Sequence, residues 1–397
     1  MDTHSRGGRT GRTLKAASVP GDDTTATSPY IGKAAIVSPL GSSEKSTGSS
    51  SHGAVTPPEQ PTVRSRPDLA AHVAYSSPRP LVPVRLDTNE SPYPPCGALR
   101  ADLAELAGAH DWHRYGDLDA TVLRERLASL HGRGVEGVWV AAGTFELLAQ
   151  LFQAVGGAGR TLGVLEPAWG GYRQVAAAAG TTVIDGDPAG ADVVVVCSPN
   201  NPTGHATPAE VVARLCERHP GRLVIVDEAY AEFGSQPSAA GLLDRYPNLA
   251  VLRTFSKALA LADLRLGYLL AHPEVVGVLP KVRVPYHPSG FTQAAGLLAL
   301  DYLAEVAATV ALVVRERQRV YDALAQLPGV RVRPSEANFL CFATPEPSWE
   351  VRRGLLERGV AIRDVSGLAH LPGHLRVTIG APADNRAFLA ALGEVLS

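Results

Sequence analysis

The sequence is poor in cysteine, in aromatic residues and in uncompensated charge, and each shortage removes a class of explanation. Its four cysteines, Cys96, Cys197, Cys216 and Cys341, are scattered along 397 residues. They form neither a disulfide framework nor a zinc-ligand spacing, and they suit a reducing compartment. Thirty-seven Lys and Arg against 39 Asp and Glu leave a formal charge of −2. With no basic stripe, neither nucleic acid nor an anionic membrane surface is indicated as a partner. No continuous apolar run approaches the roughly 20 residues that span a bilayer, so no membrane segment is expected. Phe, Trp and Tyr make up 6% of the chain, while Ala, Val, Leu, Gly and Arg are abundant. The composition is that of a soluble cytoplasmic enzyme or binding protein, long enough to bury a large core.

The chain is not uniform. Residues 1–62, with "GSSEKSTGSSSHGAVTPPEQP", have almost nothing to bury and are expected to be a disordered extension. They lack an apolar stretch of the kind a secretory signal needs, and Asp22, Asp23, Glu44 and Glu59 argue against a transit peptide. No internal repeat of fixed period is present. From about Ala98, β-branched runs bounded by turn signals recur: "GVWVAAG", "TLGVLEP", "ADVVVVCSP", "RLVIVDEAY", "NLAVLRTFS" and "RLGYLLAHP". Helical stretches such as Phe145–Val155, Gly170–Ala179 and Pro208–Glu217 alternate with them. Strands apolar on both faces and separated by helices predict a largely parallel sheet covered on both sides, a large domain over residues 98–285.

Beyond Pro285 the texture changes. A long helix over Phe291–Leu327, the strand-like "GVRVRPSEANFLCFAT", a helix over Trp349–Arg358, "LRVTIGA" and a last helix from Pro382 predict a smaller α+β domain. It combines residues 286–397 with an N-terminal arm over 63–97.

In a parallel sheet, ligands sit at the carboxyl ends of the strands. The polar residues cluster there, at Ser198–Gly204, Asp227–Tyr230 and Thr254–Lys257. Lys257 is the single lysine of "RTFSKALALADLRLGY", flanked by Ser256 and Arg265. With Asp227, Tyr230 and Asn201 it brings an amine, a carboxylate, a phenol, an amide and a guanidinium to one sheet edge. A pyridoxal phosphate site requires that set. The amine forms a Schiff base with the cofactor aldehyde, and the carboxylate keeps the pyridine nitrogen protonated. Phenol and amide contact the ring oxygen, while Arg, Ser and helix N-terminal amides hold the phosphate. Each part alone is ordinary: a solvated lysine, a strand end, a turn. Their joint occurrence in this order is not explained by structure alone.

The chain at this point resembles the fold-type I pyridoxal-phosphate aminotransferases, and within them the histidinol-phosphate aminotransferases. The resemblance runs from about Val84 to the C-terminus. It is carried by "LDTNESPY", "YGDLDATVLRERLA", "GTFE", "EPAWGGY", "SPNNPTG", "VDEAYAEF", the lysine stretch, "SEANFL", "GVAIRD" and "LRVTIG". It implies a mostly parallel seven-stranded sheet in the large domain, pyridoxal 5'-phosphate as cofactor, and a homodimer with shared active sites. Lys257 is then the covalent anchor and the acid–base, with Asp227 on the pyridine nitrogen and Tyr230 and Asn201 at the ring oxygen. Ser256, Arg265 and the backbone around Gly143, Thr144 and Phe145 hold the phosphate, with Thr254 beside them. Trp169 stacks on the ring, and Tyr115 reaches the partner subunit's site. On the substrate side, Arg376 takes the carboxylate or an equivalent group in a two-pronged contact. Arg363 takes a substrate phosphate, and Asn89 and Tyr93 complete that side.

The sequence departs from the family pattern at Phe145, where an aspartate is usual, at Thr144, at Trp169 and at Asp263. These bear on the substrate more than on the chemistry. The implied reaction moves an amino group from an amino acid or amino alcohol phosphate, by default L-histidinol phosphate, to a 2-oxo acid such as 2-oxoglutarate. A transaminase of a specialised pathway acting on an aromatic or unusual amino acid is a second reading. A lyase similar to threonine-phosphate decarboxylase is a third. A ligand-sensing regulator would need a DNA-binding module, which the Ser- and Gly-rich N-terminal residues do not supply.

Overall fold

Val193–Cys197 is all valine but for its last residue, and every position in it is buried. Such a run can only be an interior strand covered on both faces. The computed structural model describes residues 78–184 and 190–397, together with 66–69, 72, 74 and 76. The extension expected over residues 1–62 lies outside the described residues. Residues 64–397 form one compact unit.

A short strand β1 (Val84–Arg85) precedes the main sheet. That sheet comprises β2 (Val138–Ala141), β3 (Thr161–Val164), β4 (Thr182–Ile184), β5 (Val193–Cys197), β6 (Leu223–Asp227), β7 (Leu249–Thr254) and β8 (Gly267–Ala271). Its seven strands run in the order β2-β8-β7-β6-β5-β3-β4. The pairs β4–β3, β3–β5, β5–β6 and β6–β7 are parallel, and β8 is antiparallel to both its neighbours. Side chains alternate between two cores. Val193, Val195, Ile225 and Leu252 belong to one. Val194, Val196, Val226 and Val251 belong to the other. This is the period-two signature of a sheet packed on each side.

Helices α1 (Gly97–Ala109), α2 (Thr121–Leu130), α3 (Gly143–Val155), α4 (Gly171–Ala178), α5 (Ala209–Arg218) and the short α6 (Pro273–Val276) join these strands. Leu147, Leu151 and Phe152 of α3 and Val175 of α4 close the first core. Leu123 and Leu127 of α2 and Val212 of α5 close the second, which continues without a break to Phe339, Leu355 and Phe388.

Those last residues belong to the smaller α+β part, with α7 (Gly290–Ala299), α8 (Leu303–Ala325), α9 (Ser348–Glu357) and α10 (Pro382–Val395). Strands β9 (Arg331–Val332), β10 (Phe339–Ala343), β12 (Arg363–Asp364) and β13 (His374–Thr378) form an antiparallel sheet in the order β12-β13-β10-β9. Strand β11 (Val360–Ala361) pairs in parallel with β1, which ties the N-terminal arm to this part.

Two expectations change. The apolar pattern from Phe291 to Leu327 is not one helix, because a 3-10 turn at Leu300–Tyr302 divides α7 from α8. Helix α7 packs on α1 and α2. The stretch Gly290–Ala325 is also long and apolar enough to cross a membrane by length and composition, with an 18-residue window of mean hydropathy 2.0. Asp301 and Glu305 interrupt its apolar run.

Candidate active site

Strands β5, β6 and β7 end side by side, and their last residues floor a cavity of about 710 Å³. Cys197 ends β5, Asp227 ends β6 and Thr254 ends β7, all three buried. The loop after β7 turns at once and carries Ser256 and Lys257 into the same cavity, and the loop after β5 carries Asn201.

Lys257 Nζ donates to the carbonyl oxygen of Thr88 at 3.0 Å and stands 5.8 Å from the Tyr230 ring centroid. Burial, then the nearby Arg376 and Arg265, bring its ammonium down to about 8, against the pull of Glu90 and Asp227. Asp227 is driven the other way. Burial, with Glu228 adding to it, raises its carboxyl to about 6, although Tyr172, the Ala229 N–H and Lys257 favour the ionised form. Tyr230 is buried, and its phenol is pushed up by that burial. Its oxygen accepts from Asn89 Nδ2 at 3.1 Å.

The substrate side is held from β13. Arg376 Nη1 donates to Asn201 Oδ1 at 2.6 Å, and Nη2 to the Asp87 carbonyl at 2.7 Å. Arg363 is the register partner of Arg376 across β12 and β13, and both line the cavity. Asn89 adopts the left-handed φ of 55°, which Asn tolerates better than most residues. Its backbone N–H and its side-chain oxygen both bond to the Thr378 hydroxyl, at 2.9 and 3.1 Å.

At the other end of the cavity, α3 begins. Gly143 has φ +80°, and a Cβ there would come within 2.7 Å of Arg265 Nη2. Gly267 of β8 lies equally close: its Cβ would meet the Gly143 carbonyl carbon at 2.9 Å. The guanidinium, the Ser256 hydroxyl (3.4 Å from Arg265 Nη1) and the first amides of α3 therefore crowd one spot. Phe145 and Trp169 meet edge to face at 4.8 Å and form one wall. Asp263 is exposed at the rim, and among the described residues no ion pair joins it to Arg265, which donates to the Ala262 carbonyl at 2.8 Å instead.

Pyridoxal phosphate fits these residues. A buried carboxylate with no ion-pair partner among the described residues, a buried amine of lowered basicity and an anion cradle shaped by two glycines share one cavity. Asp227 suits the ring nitrogen, Asn201 and Tyr230 the ring oxygen, Ser256, Arg265 and the Gly143–Thr144 amides the phosphate, and Lys257 the aldehyde.

Two expected residues are not brought to the cavity. Tyr93 turns away from it, packs against the second core and faces Glu316 and Asp384. Tyr115 is 80% exposed and stacks on Tyr286, with centroids 4.3 Å apart and planes at 17°. Several lining residues were not singled out in the sequence, among them Arg79, Asp87, Thr88, Glu90, Cys197 and Tyr172. Of these Tyr172 carried a signal, three residues after Trp169 in the same motif.

The profile of the family "Aminotransferase class I and II" matches residues 82–392. A histidinol-phosphate aminotransferase of Nocardia farcinica is 44% identical over 350 residues, covering 82% of this chain and 89% of that one. The crystal structure of histidinol-phosphate aminotransferase from Sinorhizobium meliloti, in complex with pyridoxal-5'-phosphate, superposes with a TM-score of 0.74 at 26% identity, over 79% of this chain and 91% of that one. An L-threonine-O-3-phosphate decarboxylase from Porphyromonas gingivalis shares the fold, at TM-score 0.72 and 24% identity over 79% of this chain and 99% of that one. The chain thus belongs to the class I and II aminotransferases, in their histidinol-phosphate aminotransferase group, and is a pyridoxal-phosphate-dependent enzyme of fold type I.

Proposed function

We propose that the amino donor is L-histidinol phosphate and the acceptor a 2-oxo acid such as 2-oxoglutarate. The observation that carries this is the pairing of Arg376 and Arg363 across β12 and β13, facing the cavity that holds Lys257. Histidinol phosphate has no carboxylate; its anion is the phosphate. 2-Oxoglutarate has two carboxylates. A site that must take both in turn needs cations that recognise either, and guanidinium groups do so with two-pronged hydrogen bonds. The 44% identity to a histidinol-phosphate aminotransferase supports the same reading, whereas the likeness to the decarboxylase is one of fold.

When bound, the cofactor supplies a reactive aldehyde and a ring that withdraws electrons from the substrate Cα. The protein supplies the rest. With its ammonium near 8, Lys257 is partly neutral at neutral pH and can attack a carbonyl or take a proton. Asp227, buried at the cavity floor, would hold a proton on the pyridine nitrogen. Arg376 and Arg363 together would hold the donor's phosphate and so aim its Cα–H at Lys257 Nζ. The Phe145–Trp169 wall excludes water from one side.

The enzyme acts as a homodimer in this reading. Trp112, Tyr115, Val284 and Tyr286 expose 66, 80, 60 and 42% of their surfaces. An apolar band of that kind marks an interface, and Tyr115 stands clear of its own site, as a residue serving a partner's site must. Light scattering should give twice 41.7 kDa. We also take the enzyme to act in the cytoplasm, which its four free thiols suit.

A panel of donors with 2-oxoglutarate, read as glutamate formed, tests the function. Histidinol phosphate should surpass histidinol, aromatic amino acids and threonine phosphate. Failure of histidinol phosphate beside a working donor overturns the substrate, and carbon dioxide release without an oxo acid overturns the reaction.

A further inference from the structure

Tyr172 stands in the first turn of α4, 1% exposed, with its ring edge-on to Trp169 at 5.3 Å and 85°. Its hydroxyl donates to Asp227 Oδ2 at 2.8 Å. The other oxygen, Oδ1, accepts from the Ala229 N–H at 3.1 Å. Asp227 is thus gripped at both oxygens by groups that favour its charged form. Glu228 works against that form, Lys257 favours it from across the cavity, and the Cys197 thiol lies alongside. The phenol itself stays protonated, because burial and the neighbouring Asp227 hold it well above its ordinary range.

We infer that Tyr172 is a positioning residue, whose hydroxyl orients the Asp227 carboxylate and keeps it ionised for the ring nitrogen of the cofactor. A buried tyrosine needs a partner in any case, and one that merely found a nearby acceptor would be structural. The two roles differ in one respect: a positioning hydroxyl acts only through Asp227. This inference rests on the cofactor assignment and is independent of the amino donor.

The test is a double-mutant cycle on the full-length chain, read as the equilibrium dissociation constant of pyridoxal phosphate without substrate. Tyr172→Phe keeps the ring and its contact with Trp169. It should weaken binding roughly tenfold, the scale of one hydrogen bond to a charged group. The acid limb of binding should move up by about one pH unit, because the carboxyl loses the donor that favours its ionisation. In an Asp227→Asn background the same substitution should change nothing, since the group it serves is gone. Equal weakening in both backgrounds, or none in either, overturns the inference. Replacing Tyr172 with 3-fluorotyrosine, a better donor of nearly the same shape, should move the acid limb down, and a limb that stays put or rises also overturns it. If the wild-type chain binds no pyridoxal phosphate, the cofactor reading has failed instead.

Discussion

Arg376 donates to Asn201 Oδ1 at 2.6 Å, so the residue proposed to hold the substrate's anion is bonded to the one proposed to hold the cofactor's ring oxygen. The two binding functions share a hydrogen bond and are not independent. Shortening the guanidinium should therefore affect both half-reactions. Arg376→Lys is expected to lower kcat/KM by about 100-fold for donor and acceptor alike, the loss of a two-pronged charge-assisted contact. Steady-state kinetics with each substrate varied in turn checks this; a loss confined to one substrate contradicts it.

Arg363 is half-buried and has a different reach. Its guanidinium donates to the Ser76 carbonyl at 3.3 Å, near the segment that brings Arg79 to the cavity. Arg363→Ala should raise KM for a phosphorylated donor about tenfold and leave an unphosphorylated analogue such as histidinol little changed. Similar KM increases for both donors would remove the phosphate role.

In the proposed function Lys257 is the cofactor's anchor. Lys257→Ala should abolish transamination and leave the cofactor removable by dialysis. Treating the wild-type holoenzyme with borohydride should fix a pyridoxyl group on the peptide containing Lys257, as read by mass spectrometry. Labelling at another lysine would refute the assignment.

The two perturbed groups set a pH window. The Asp227 carboxyl, raised to about 6, is a carboxylate only above that value. The Lys257 ammonium, lowered to about 8, gives its neutral amine some two units earlier than an ordinary lysine. Capture of pyridoxal phosphate by the cofactor-free chain needs both forms. Its rate should climb through pH 6, climb again towards 8 and then level off. A stopped-flow profile still rising at pH 10 would show an unperturbed lysine.

The legible parts of the fold were those whose environment is severe. Strands such as Val193–Cys197 and Leu223–Asp227 are buried on both faces and leave no other reading. Edge strand β4 escaped notice because Thr182 is exposed and the strand has three residues. The turn between α7 and α8 escaped because it keeps the apolar texture of both helices. In the site, residues at strand ends were readable, since the strand fixes where its last side chain lies. Tyr93 was not: the chain takes a left-handed step at Asn89, and four residues on, adjacency in sequence no longer means adjacency in space. Tyr172 reads as core because it is core on one side and a hydrogen-bond donor on the other.

Arg363 and Arg376 face each other directly across β12 and β13. Like charges directly opposite on neighbouring strands are destabilising. An anion between the two guanidinium groups converts the repulsion into a bridge. The substrate is then also a structural tie, and the protein should melt higher with phosphate or 2-oxoglutarate than with an equal ionic strength of chloride.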